Sequence, residues 1–105
     1  MTGEMTLAWE GDQNATAVLT LLDDMTKHQM LVFEVRNNVA ATAAGWSHLY
    51  YIPVSIFKEF FADTNNKYQM SPYDNYASYT WYQSDTEVNF QFATNTRLRH
   101  IWFMD

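Results

Sequence analysis

Cysteine is absent from all 105 residues, so disulfides, thiolate nucleophiles and zinc–thiolate centres are excluded together. That composition fits the reducing cytoplasm, where the protein is expected to reside. Glycine and proline are sparse, three of one and two of the other, which leaves few breakpoints for a linker and points to a single domain. Gly3, Gly11 and Gly45 are scattered, so no glycine-rich loop is available to cradle a phosphate. No stretch approaches the roughly 20 apolar residues of a membrane span, and the opening MTGEMTLAWEGDQ lacks a basic segment followed by an apolar run. The expectation is a protein neither secreted nor inserted. Asn14-Ala15-Thr16 matches a glycosylation acceptor, but without a signal peptide the match reads as chance.

Positive charge is also scarce: 6 Lys and Arg stand against 12 Asp and Glu, a net charge of −6. Binding to a phosphate backbone draws its free energy from Lys and Arg displacing counterions, so a chain without a basic stripe is not expected to bind nucleic acid directly. The acidity is unevenly placed. Glu4, Glu10, Asp12, Asp23 and Asp24 fall within the first 24 residues, which contain no Lys or Arg. A basic surface on another protein is the simplest complement.

Strand-forming residues dominate what is present. Val88, Phe90 and Phe92 alternate with Glu87, Asn89, Gln91 and Ala93 over 87–94, and Leu31, Phe33 and Val35 alternate with Val32, Glu34 and Arg36 over 29–36; such strands bury one face. Residues 16–22 read as the hairpin partner of 29–36, joined by Asp23-Asp24-Met25-Thr26-Lys27-His28, where Asp stabilises turns by bonding its own backbone. Residues 76–83 should pair with 87–94 around Ser84-Asp85-Thr86, and the lack of Gly there favours a loop longer than two residues. Further strands are expected at 46–52 and 98–104, with a short edge at 5–9.

One helix is predicted over about 54–62, because Val54, Phe57, Phe60 and Phe61 share a face at helical spacing. Pro53 at the first turn and Ser55 as N-cap are both compatible with its start. So short a helix must be held by packing. Phe57 and Phe60 are therefore expected to be core residues, and Phe60→Ala to unfold the protein. The fold class is α+β: a curved antiparallel sheet of about five to seven strands packed on one short helix.

Catalytic constellations are not visible. His28, His48 and His100 are isolated, with no second His or acid at helical metal-binding spacing. Asp23-Asp24 reads as turn chemistry, since a calcium loop would add further oxygen ligands and a Gly. No metal, cofactor or catalytic residue is assigned, and the protein is expected not to be an enzyme.

Aromatic residues are the anomaly, at 17%. On the strand over 76–83, Tyr76, Thr80 and Tyr82 share one face while Ala77, Tyr79 and Trp81 take the other, so both faces carry rings. One face must be core; the other would meet solvent, a partner or a ligand. Cross-strand ring pairing that only stabilises the sheet is the plainer reading. Stacking on nucleic acid needs a positive groove, whereas 68–96 carries only acids. At the other end, Arg97 and Arg99 read as cations that protect an edge strand, or as a pair meeting an acidic patch on a second copy in a homodimer.

The favoured reading is a small acidic intracellular binding or inhibitor protein that occludes a basic surface of a partner protein through Glu10, Asp12, Asp23 and Asp24 of an N-terminal hairpin, with Tyr76, Tyr79, Trp81 and Tyr82. Phage-encoded inhibitors of bacterial defence systems and immunity proteins share this profile of size and charge, though no motif ties the chain to either. The alternatives are a carbohydrate or small-ligand module stacking on Tyr79, Trp81 and Tyr82, and a self-associating assembly protein. No membrane partner is expected.

Overall fold

Alternating apolar and polar side chains produce antiparallel strands throughout, and the computed structural model describes residues 2–37, 47–73, 76–93 and 96–105, the side chains of 37, 71–73 and 76 excepted. Among the described residues the strands are β1 (Met5–Gln13), β2 (Ala17–Thr20), β3 (Met30–Asn37), β4 (Ser47–Pro53), β5 (Tyr68–Tyr73), β6 (Tyr76–Ser84), β7 (Glu87–Gln91) and β8 (Thr96–Met104), with one α-helix, α1 (Val54–Phe60). The fold is α+β. The strands divide between two four-stranded antiparallel sheets, ordered β1-β8-β3-β4 and β2-β7-β6-β5.

Both sheets contribute to one core. Leu31, Phe33 and Val35 of β3 and Leu98, Ile101 and Phe103 of β8 meet Leu19, Met70, Val88 and Phe90 of the second sheet, with Val54 and Phe57 of α1 and Met25 joining them. Each fully buried large side chain contributes about 1.5–3 kcal/mol. One polar bridge crosses this core: the Ser78 and Thr96 hydroxyls, both fully buried and from opposite sheets, lie 2.7 Å apart. Thr96 Oγ1 donates its proton to the Ala93 carbonyl at 2.7 Å. Ser78 is therefore the donor to Thr96, and the pair is internally satisfied.

Several expectations are corrected. β2 does not pair with β3; it pairs with β7 in the register Ala17↔Phe90 to Thr20↔Glu87. The reason lies in the connector, which is not a hairpin turn but a 3-10 turn over Met25–Lys27 that buries Met25 completely and carries the chain from one sheet to the other. β5 is a strand in addition to those expected from the sequence; it is an edge, pairing only with β6, where Pro72 is tolerated. β1 runs beyond residue 9 to Gln13, with irregularities in its pairing to β8 that accommodate Gly11 and Asp12.

The β6–β7 hairpin forms as expected, but its connection is only the two residues Asp85-Thr86 between Ser84 and Glu87. Side-chain hydrogen bonds brace the turn: Ser84 Oγ accepts from Thr86 N at 3.3 Å and donates to Glu87 Oε1 at 2.9 Å. Residues 46 and 94, placed in strands by the sequence, lie outside the described residues. β8 is central rather than an edge, so Arg97 and Arg99 do not guard an edge.

Helix α1 ends earlier than expected. Phe57 is fully buried, whereas Phe60 is 60% exposed and Phe61 packs only at the margin of the core. Phe60 therefore does not hold the core, because seven residues give one buried stripe of Val54 and Phe57 and the chain turns off at Phe61. Pro53 is the N-cap position, with no side-chain cap, and Ser55 lies inside the helix.

Candidate functional site

His28 organises one end of the molecule. Its Nδ1 lies 2.9 Å from Asp105 Oδ2 and its Nε2 3.0 Å from Asp23 Oδ2. The ring stacks on Phe103 with centroids 4.0 Å apart and planes at 7°. An imidazole donates to a carboxylate from each nitrogen only when both carry protons. Burial opposes that charge, but the hydrogen bonds to Asp105 and Asp23 outweigh it and raise the His28 pKa above its ordinary value. Asp23 is held below the usual carboxylate range, chiefly by His28 and then by the Asp24 backbone N–H. Asp24 in turn caps the 3-10 turn, accepting from Thr26 N at 2.8 Å and Thr26 Oγ1 at 2.6 Å.

Asp85 extends this cluster. Its Oδ1 accepts from the Tyr82 hydroxyl at 2.7 Å and from Lys58 Nζ at 2.9 Å. Lys58, and then Tyr82, lower the Asp85 pKa, and Asp85 is the leading cause of the raised values of both partners. Backbone bonds from Met25 N to Asp85 O at 2.8 Å and from Asp105 N to Glu4 O at 2.9 Å draw these segments together. Glu59 stands beside them in the wall of a shallow groove of about 470 Å³ that Lys27, His28, Ser55 and Lys58 also line. Glu4, Asp23, Asp24, Glu59, Asp85 and Asp105 thus share one end, answered by Lys27, Lys58 and His28.

A second surface adjoins this end. Residues paired across antiparallel strands share a face, so the registers of the first sheet align Met5, Met104, Met30 and Pro53 in one row and Leu7, Trp102, Val32 and Tyr51 in the next. The third row is Glu10, His100, Glu34 and Leu49. These rows face away from the core: Val32 is fully buried yet stands outside the core cluster, flanked in its row by Trp102 and Tyr51. Met5, Leu49 and Tyr51 are 42%, 47% and 48% exposed.

His100 fixes the third row. Its ring stacks on Trp102 at 4.9 Å and its Nδ1 lies 2.5 Å from Glu34 Oε1, while Ser47 Oγ donates to Glu34 Oε2 at 2.5 Å. Burial raises the Glu34 pKa, but the hydrogen bonds from Ser47 and His100 outweigh it, so the carboxyl titrates below its ordinary value. Beyond this row Arg97 Nη1 donates to Asp12 Oδ2 at 3.0 Å, and Arg99 Nε donates to the Gly11 carbonyl at 3.1 Å.

The outer face of the second sheet carries Tyr79 and Trp81, both half-buried and paired with Gln91 and Asn89. Lys67 Nζ sits 4.9 Å from the Trp81 ring centroid and 5.8 Å from that of Tyr79, and donates to Gln91 Oε1 at 2.7 Å. This cation covers both rings, an arrangement contributing about 0.5–1 kcal/mol per pair. Tyr82 is on the opposite face, packed against the core.

The residues singled out from the sequence fall on three surfaces. Asp23, Asp24 and Tyr82 come together at the acidic end. Glu10 and Asp12 lie along β1 in the first sheet, and Tyr79 and Trp81 are on the second sheet's outer face. Tyr76 opens β6, and its side chain lies outside the described residues. No single N-terminal hairpin unites the acids, because β1 and β2 belong to different sheets. Sequence reasoning missed the roles of His28, Lys58, Asp85 and Asp105, because the contacts His28–Asp105 and Lys58–Asp85 join segments far apart in sequence. The apolar rows did leave a signal: Met30-Leu31-Val32-Phe33 is apolar on both faces of its strand.

Among the described residues no group of three or more His, Asp or Glu could hold a metal ion, and no helix is long and apolar enough to cross a membrane. Comparison with protein-family models, curated proteins and solved structures finds no match.

Proposed function

We propose that the chain is a non-enzymatic binding protein that covers a basic surface of a partner protein, in the manner of a small inhibitor. The observation that supports this reading is the collection of Glu4, Asp23, Asp24, Glu59, Asp85 and Asp105 at one end, with Asp23 and Asp85 held ionised by their partners. The six carboxylates outnumber Lys27, Lys58 and His28 there, and an excess of one sign steers an oppositely charged partner and fixes its orientation. Saccharide stacking on Tyr79 and Trp81 is the weaker reading, because Lys67 already occupies those ring faces.

Affinity capture from the native host tests it, with the wild type and a Glu4→Lys/Glu59→Lys variant, each at about 50 mM and about 500 mM salt. The expected result is a basic protein retained by the wild type at low salt and lost at high salt or to the variant. Retention indifferent to both contradicts the reading.

A further inference from the structure

We infer that β4 is the strand at which a second copy of this chain adds, the two β4 edges pairing antiparallel to join the first sheets of both copies into one. A sheet edge is a row of unpaired N–H and C=O groups that templates further pairing unless something blunts it. Three of the four described edges are blunted: β1 by its pairing irregularities and the charges of Glu10 and Asp12, β2 by its length of four residues, and β5 by Pro72 and a register shift. β4 has none of these devices. Its residues SHLYYIP include no Lys, Arg, Asp or Glu, its proline stands at the last position, and its register with β3 runs from Pro53 to Ser47 without a shift.

The backbone shows which groups face outward. Val54 N donates to Gln29 O at 2.9 Å, and hydrogen-bonded pairs alternate along an antiparallel ladder, so Leu31↔Ile52, Phe33↔Tyr50 and Val35↔His48 exchange the bonds with β3. Ser47, Leu49 and Tyr51 therefore turn their N–H and C=O groups to the open edge. Among the described residues the Tyr68 hydroxyl reaches that edge, donating to the Tyr51 carbonyl at 3.3 Å, which leaves the Leu49 and Tyr51 amides to an added strand.

The edge complements itself. Two copies of one edge related by a two-fold axis run antiparallel. Centred on Tyr50, that pairing sets Leu49 opposite Tyr51 of the second copy, and the reverse. These side chains, 47% and 48% exposed on one face, then become aliphatic–aromatic cross-strand pairs. The same sense brings Arg36 and Ser47 of each copy toward the Pro53 end of the other, where α1 carries Glu59, so unlike charges face each other across the joint. A basic strand from another protein would find no carboxylate on β4 to answer it. The dimer stands independently of the basic-partner reading.

Sedimentation equilibrium of the whole chain from about 20 μM to about 1 mM, with amide hydrogen exchange at both limits, tests it. The expected result is a mass rising toward twice that of the chain, with the Leu49 and Tyr51 amides gaining protection as it rises. The Tyr50 and Ile52 amides, bonded to β3, should be protected throughout. Leu49→Lys, at an exposed position, should keep the wild-type melt and raise the dimer dissociation constant about tenfold or more. A strict monomer at about 1 mM would overturn the inference. So would a dimer whose Leu49 and Tyr51 amides exchange as in the monomer, or one indifferent to Leu49→Lys.

Discussion

His28 and Asp105, separated by 77 positions in sequence, meet at 2.9 Å, and the same imidazole holds Asp23 at 3.0 Å through its other nitrogen. The bridge ties the end of β8 to the connector between the sheets, with the Phe103 ring beneath it.

The bridge makes stability depend on pH with a definite sign. The folded His28 pKa lies above its ordinary value, so its contribution is fully present below about pH 6.5 and is lost as pH rises through the folded value. Asp23 is lowered, so its contribution is present above about pH 3.9 and is lost as pH falls through the folded value. The melting temperature should be highest between about pH 4 and pH 6.5 and fall on the alkaline side, a fall that His28→Gln flattens. A wild-type melting temperature that is level or rising from about pH 6 to pH 9 contradicts the bridge.

Phe57 and Phe60 should behave oppositely. Removing the fully buried Phe57 should cost about 3–5 kcal/mol through lost transfer and a cavity between α1 and β3. Phe60, 60% exposed and in edge contact with Phe61, should cost less than about 1 kcal/mol on truncation to Ala. Urea denaturation of the two variants checks the order, and equal losses would refute the helix orientation.

The buried hydroxyl pair predicts non-additivity. Thr96→Val leaves the Ser78 donor without its acceptor and should cost about 1–3 kcal/mol. Adding Ser78→Ala removes the orphaned group, so the double variant should be less destabilised than the sum of the singles. A double-mutant cycle that closes additively would show that the two hydroxyls are uncoupled.

Gly11 is required by the ring beside it. A Cβ built there meets Trp9 ring carbons at 2.7 and 2.8 Å, so Gly11→Ala must displace a side chain packed against the core. The expected loss is about 1–3 kcal/mol, with a changed Trp emission maximum in the folded state. Unchanged emission and stability would place the ring elsewhere.

Local chemistry made much of the fold legible. The alternation of Val88 and Phe90 with Glu87, Asn89 and Gln91 gave β7 one buried and one half-buried face, although the strand ends at Gln91, short of Phe92, and the β6–β7 pairing followed from proximity. What stayed hidden was decided by distant contacts. Nothing around Ala17-Val18-Leu19-Thr20 says whether it pairs forward with β3 or with β7, and burial of Met25 settles it. Phe60 carries the right period but lies past the point where the short helix leaves the core. At the candidate site, Asp23 and Asp24 were visible as carboxylates, yet their company with Asp85, Asp105 and His28 comes only from the folded topology.

The claim that matters most is contact led by charge, and the salt dependence of the affinity for the captured partner tests it most directly. Between about 50 mM and about 500 mM salt the dissociation constant should rise by about tenfold or more, with most of that dependence abolished in Glu4→Lys/Glu59→Lys. A dissociation constant that stays level across the series, in the wild type, would contradict the account.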